Sequence, residues 1–259
     1  MIHRILLSLL LLGSLQTFAQ ETIDFRANHP YIQYTGRIVK PSFVRYRFWQ
    51  PGVYIRAKFN GTYCNIIIED EEKYNQHNYL AIQIDDQPAR RIETKSAHNV
   101  IQAAANLPEG DHIITICKNT EASIGYLDFL GFQCKKLLPI TSTPSRRLEF
   151  IGNSITCGTG SDQSSFPCGQ GQWYDQHNAY MSYGPLTARS LDAQWMLSSV
   201  SGIGLMHSCC DMKITMPQVF DKINMRDDSL KWDFQRYQPH VLTICLGQAG
   251  CSYVLQYLC

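Results

Sequence analysis

Charge is scarce in this chain of 259 residues. Asp, Glu, Lys and Arg make up 17% of it and nearly cancel, leaving a net charge of +1; ordinary globular domains carry about 25%. With its Lys and Arg dispersed, such a chain offers no cationic face to a nucleic acid or an anionic membrane. Long apolar runs are also missing. Ile5 to Leu12 is too short to cross a bilayer, and no later segment is long and apolar enough. Paired zinc-ligand spacing is absent, so no metal is expected. No cysteine closes the early apolar run, which gives no sign of a lipid anchor. Ten cysteines are present, and an exported protein could oxidise them. Their spacing gives no readable framework: Cys209 and Cys210 are adjacent, and Cys251 and Cys259 lie in an odd tail.

Hydrophobic residues reach 44%, enough for a substantial core in one large domain or two ordinary ones. The reading divides the chain into four parts. Residues 1–19 form a signal peptide: a weakly basic start at His3 and Arg4, the apolar run, then Thr17-Phe18-Ala19 as the cleavage region. Residues 20–138 form an antiparallel β-sandwich, 139–146 a linker rich in Pro, Ser and Thr, and 147–259 an α/β domain. The protein is therefore expected to be exported to the periplasm or beyond the cell. The linker predicts that the β-rich part folds by itself.

Between Tyr31 and Phe132 strand patterns dominate. Gly52 to Phe59 alternates over much of its length. Asn60-Gly61 follows, a strong hairpin signal, with Thr62 to Ile68 as the expected partner. Tyr79–Ile84 should pair with Ala89–Thr94, and Val100–Ala104 with His112–Lys118 across Leu107 to Asp111. Tyr126–Phe132 closes the set. After the linker the pattern changes. Leu148–Ile151 and Trp195–Ser199 read as strands around a helix at Tyr180–Ala193. Val241–Leu246 reads as a strand buried on both faces of a parallel sheet. The long loop Asp162 to Asn178 leaves the first of these units.

The chemistry is expected at Phe150-Ile151-Gly152-Asn153-Ser154-Ile155-Thr156-Cys157-Gly158. A serine just past the C-terminal end of a parallel strand can present its hydroxyl, and its backbone N–H, where α/β sheets bind ligands. The competing role for Ser154 is that of a helix cap. The stretch resembles the first block of the SGNH (GDSL-type) serine hydrolases, and more narrowly that of two-domain acetyl esterases of carbohydrate esterase family 2. Many relatives have aspartate where Asn153 stands. Ser199-Val200-Ser201-Gly202-Ile203-Gly204-Leu205 is similar to the second block, with Gly202 at the position whose N–H joins the oxyanion hole. Asn106-Leu107-Pro108-Glu109-Gly110-Asp111-His112, Lys118-Asn119-Thr120-Glu121-Ala122 and Phe129-Leu130-Gly131-Phe132 resemble the family's N-terminal jelly roll. They carry turn-forming and core roles only.

The third block departs from the family. Ile244-Cys245-Leu246-Gly247-Gln248 approaches as expected, but Ala249 and Gly250 stand where the family places asparagine and usually aspartate. Members continue through further elements that carry the catalytic histidine. The resemblance thus implies an α+β two-domain protein: a jelly-roll sandwich, then an incomplete flavodoxin-like SGNH domain truncated at its C-terminus. It implies a serine esterase removing O-acetyl groups from plant-polysaccharide sugars. Ser154 would be the nucleophile and Ser154 and Gly202 the oxyanion donors, with no cofactor and little activity in the chain as written. His177, His207 and His240 are the local histidines, none of them a strong candidate for the base. Trp173, Tyr174 and Trp232 are weak candidates for a sugar-stacking platform. The rival reading is a non-catalytic carbohydrate-binding protein that uses the sandwich.

Overall fold

A computed structural model describes residues 23–227 and 230–248. The signal-peptide assignment, Ala249, Gly250 and the tail after them lie outside the described residues.

The first half is one antiparallel system of ten strands: β1 (Ile23–Arg26), β2 (Gln33–Thr35), β3 (Val39–Ser42), β4 (Arg45–Phe48), β5 (Tyr54–Asp70), β6 (Tyr79–Ile84), β7 (Arg90–Glu93), β8 (His98–Ala104), β9 (Asp111–Lys118) and β10 (Leu127–Leu138). β5 is its axis. One of its edges carries β2 and then β10, and the other carries β9 and then β8. Its inward residues Ile55, Ala57, Phe59, Cys64, Ile66 and Ile68 are almost wholly buried. They pack with Ile114, Ile116, Phe129 and Phe132 from β9 and β10.

The expected hairpin at Asn60-Gly61 does not form, because β5 runs straight through it. The turn-prone residues are tied sideways instead. Asn60 Nδ2 donates to Asp111 Oδ1 at 2.8 Å, and Gly61 N donates to Gly110 O at 2.9 Å. Gly61 takes φ +121°, opposite an irregularity in β10 between Cys134 and Lys136. Its conformational freedom serves a bulge rather than a reversal. The expected β8–β9 pairing is also absent: the two strands follow each other along one edge of β5. The β6–β7 pair forms as expected, with Tyr79 opposite Glu93.

After 139–145 the chain enters three parallel strands: β11 (Arg146–Gly152), β12 (Ala193–Ser199) and β13 (Val241–Cys245), in the order β12-β11-β13. The helices are short: α1 (Ser154–Cys157), α2 (Tyr183–Ser190) and α3 (Met216–Val219). Pro185 sits in the first turn of α2, where its missing N–H costs nothing. No helix among the described residues is long and apolar enough to cross a membrane. β13 departs from expectation. Val241, Leu242 and Ile244 are 52%, 45% and 66% exposed, although their apolar run suits a covered strand.

The two halves share a core. Tyr54 of β5 stacks on Trp195 of β12 at 4.0 Å, and Trp195 Nε1 donates to Gly52 O. Ala81 and Cys117 join them from the antiparallel side, and Leu148, Phe150 and Leu197 from the parallel side. Arg37, fully buried, reaches across as well. It donates to Ser198 Oγ and to the carbonyls of Phe220 and Lys222, and lies 3.6 Å from Glu149 of β11.

Candidate active site

In a 2-1-3 parallel order the chain steps from the first strand to a neighbour on one side, then crosses back to a neighbour on the other. The crevice at the C-terminal ends of β11 and β13 is then the favoured ligand site. Gly152, Ser199 and Cys245 are in register there, so the chain after each strand meets at one edge. Gly152 has no room for a side chain: an added Cβ would lie 1.9 Å from Thr156 Oγ1. That contact packs α1 tightly against the strand end.

The cap expected as Ser154's competing role belongs to its neighbour. Asn153 caps α1, its side-chain oxygen accepting from Ile155 N at 3.3 Å, and its Nδ2 donates to Gln248 Oε1 at 2.9 Å beyond β13. Ser154 is the first residue of the helix, half-buried. Among the described residues no hydrogen bond engages its Oγ. Its backbone N–H belongs to the first turn, which has no intrahelical acceptor. Gly202 follows β12 with φ +78°, a conformation that favours glycine. Its carbonyl accepts from Cys209 N at 2.8 Å. Thr159, after α1, and Ser201, beside Gly202, bring the two loops together with their hydroxyls 3.2 Å apart.

The histidines fall elsewhere. His240 Nδ1 accepts from Arg147 N at 3.0 Å, at the start of β11, roughly 16 Å of strand from Gly152. His207 is exposed. His177 is fully buried with neither ring nitrogen hydrogen-bonded, and its Nδ1 lies 3.8 Å from Glu121 Oε1. Burial is the main cause that lowers its pKa to about 4, against the pull of Glu121. No histidine is hydrogen-bonded to Ser154 among the described residues. Cys209 and Cys210 form a disulfide, while Cys64, Cys117, Cys134 and Cys157 are buried thiols. No group of three or more potential metal ligands occurs among the described residues. Tyr174 and Trp232 are buried, so of the three candidate stacking aromatics only Trp173 is substantially exposed, at 50%.

Sequence reasoning treated Glu121 as part of a structural turn. The structure places it 1% exposed, between the halves and against both site loops. Its Oε1 accepts from the hydroxyls of Thr159 and Ser201, and its Oε2 from Ser201 N at 3.3 Å. No local pattern in the sequence marks it, because its partners come from the other half of the chain.

A parallel sheet with a serine at the end of its first strand, flanked by a glycine loop after the second, resembles the SGNH-type serine hydrolases. Within that class the resemblance is to carbohydrate esterase family 2. Residues 34–144 match the carbohydrate esterase 2 N-terminal family. The cellulase/esterase CelE of Acetivibrio thermocellus is 32% identical over 205 residues, which are 76% of this chain and 24% of that protein. An acetylxylan esterase / glucomannan deacetylase of Cellvibrio japonicus is 26% identical over 237 residues, covering 90% of this chain and 64% of its own length. The chain thus spans less than two thirds of either relative. Among solved structures, a family two carbohydrate esterase from Cellvibrio japonicus superposes with a TM-score of 0.79 at 25% identity. It covers 90% of this chain and 69% of that one. Another from Clostridium thermocellum, in complex with cellohexaose, superposes with a TM-score of 0.77 at 29% identity, covering 86% and 67%.

Proposed function

We propose that this chain is an exported SGNH-type esterase module acting on O-acetyl groups of plant-polysaccharide sugars. Its antiparallel half is a jelly-roll sandwich and its parallel half the hydrolase domain. The observation that carries this reading is the division of labour at the end of β11. Asn153 takes the cap, leaving the Ser154 hydroxyl and N–H uncommitted at the switch point beside Gly202. In the proposed reaction Ser154 Oγ attacks the acetyl carbonyl, and the N–H groups of Ser154 and Gly202 hold the oxyanion. An acetyl-enzyme forms and the sugar hydroxyl leaves; water then releases acetate. The relatives' names, an acetylxylan esterase and a cellulase/esterase, support the substrate class.

The reaction also needs a base, and no histidine is hydrogen-bonded to Ser154 among the described residues. His177 is buried, His240 lies at the far edge and His207 is exposed, so we expect the chain as given to turn over slowly. Losing the base of a serine nucleophile costs up to about 10⁶ in rate in the protease used as the standard comparison. The test is hydrolysis of an aryl acetate and of an acetylated xylo-oligosaccharide by the purified chain and by Ser154→Ala. Slow turnover that vanishes in Ser154→Ala supports the reading. Turnover at ordinary esterase rates that survives the substitution overturns it. The second reading, sugar binding without catalysis, draws on the cellohexaose held by the relative from Clostridium thermocellum. It predicts oligosaccharide binding with no difference in hydrolysis between the two proteins.

A further inference from the structure

We infer that Glu121, donated by the antiparallel half, is the positioning residue for the oxyanion loop at Ser201-Gly202. This inference rests on the proposed roles of Ser154 and Gly202. Glu121 follows β9, in a segment fixed from both sides. Lys118 Nζ donates to the carbonyls of Thr120 and Glu121, and Ile124 N donates to Glu121 O. Asn119 O accepts from Ala179 N, and Asn119 Oδ1 from Tyr180 N, across the seam. The carboxylate therefore enters the hydrolase half from a rigid support. It gathers three donors from two loops that no strand pairing joins: the Thr159 hydroxyl, which follows the nucleophile helix, and the hydroxyl and N–H of Ser201.

The consequence is geometric. Ser201 is bonded directly to Gly202. Its N–H on Glu121 Oε2 fixes the Val200–Ser201 peptide and its hydroxyl on Oε1 anchors its side chain, so the residue whose carbonyl carbon carries the Gly202 N–H is held at two points. Gly202 takes φ +78°, a conformation glycine can leave easily when unrestrained. Oxyanion stabilisation depends on donors that are already aimed when charge develops. Without Glu121, the half-buried Ser201 N–H and the two hydroxyls lose this shared acceptor, and the loop would turn to satisfy them elsewhere. Glu121 touches neither Ser154 nor the space beside it in any observed contact. Its action is through Ser201.

The test uses the full chain with Glu121→Ala and Glu121→Gln. A glutamine can keep the arrangement, its amide oxygen accepting from Ser201 N–H and its NH₂ donating to the two hydroxyl oxygens. Two measurements follow. One is amide hydrogen exchange of Ser201 and Gly202. The other is the rate at which Ser154 is modified by an alkyl fluorophosphonate, read by intact mass. In that reaction serine oxygen bonds to phosphorus, fluoride leaves and the hydroxyl proton passes to water. Glu121→Ala should speed exchange and slow phosphonylation about tenfold each, the scale of one lost hydrogen bond, and Glu121→Gln should restore both to within about threefold. Unchanged exchange in a folded Glu121→Ala protein overturns the inference, as does a Glu121→Gln protein no better than Glu121→Ala. If Glu121→Ala does not fold, Thr159→Val approaches from the other side and should speed Ser201 exchange; no change there also overturns it. A wild-type chain that takes no phosphonate defeats the Ser154 reading instead, and Glu121 is then judged on exchange alone.

Discussion

At the scale of single residues, His177 is the most consequential surprise. A loop histidine is usually solvated, yet this one is enclosed, with Trp173 edge-on at 4.4 Å and Glu121 at 3.8 Å. Glu121 and Asp175 favour its protonation, while burial, Arg91 and Lys118 oppose it. A neutral buried imidazole that must charge in acid stabilises the fold above its unfolded pKa of about 6.5. That stability is lost as pH falls toward the folded value of about 4. The displacement corresponds to roughly 3 kcal/mol. The melting temperature should therefore drop steeply between pH 6.5 and 4, and His177→Gln should flatten that part of the profile. Equal slopes for the two proteins would remove His177 from the account. Nothing in the sequence marked His177 as buried, because its surroundings include Arg91 of β7 and Glu121 in the turn after β9, both far earlier in the chain. The places of Ser154 and Gly202 just past β11 and β12 were legible because each needs only its own strand end and turn.

At the scale of elements, Asn60-Gly61 shows what local pattern cannot supply. The dipeptide satisfies every short-range requirement of a hairpin, and the flanking alternation fits two strands. The contest is settled by Asp111 and Gly110, which bind both residues from the side, and by β9 and β8, which together occupy most of one edge of β5. The strand positions of the parallel half were readable because continuous apolar runs and glycine ends suffice to place β11 and β12. A two-residue insertion separates the alternatives. Gly-Ser placed between Asn60 and Gly61 would lengthen a hairpin tip harmlessly. In a continuous strand it shifts the register of everything beyond it. We expect the insertion to abolish cooperative folding, measured as loss of the thermal transition. A similar insertion at the β6–β7 turn, Asp86-Gln87, should cost little.

At the scale of the whole molecule, the linker leads us to expect a sandwich that folds by itself, while the contacts across the seam predict that the two halves of the chain unfold together. Tyr54 and Trp195 belong to a single stack, and Arg37 is surrounded by groups of the other half. Burial holds the Arg37 pKa down, near 10, against the attraction of Glu149, whose own pKa burial raises. Removing one member of such a pair leaves the other charge stranded, at a cost of roughly 3–5 kcal/mol. Arg37→Leu should lower stability by about that amount in urea titrations, with far-ultraviolet and tryptophan signals moving together. Adding Glu149→Leu should recover part of the loss. Separate transitions for the two signals would restore the independent-unit view.

β5 also sets the order in which this chain can assemble. It meets β2 locally, but Ile68 must find Phe129 and Lys58 must find Leu138. During synthesis, then, the longest described strand, 17 residues, emerges long before the partner that completes its second edge. Chains dominated by such distant pairings fold in milliseconds to seconds rather than microseconds, and meanwhile an unpaired edge is open to other chains. The yield of native protein should accordingly depend on chaperone supply and on slow growth at low temperature far more than on the final stability of the fold.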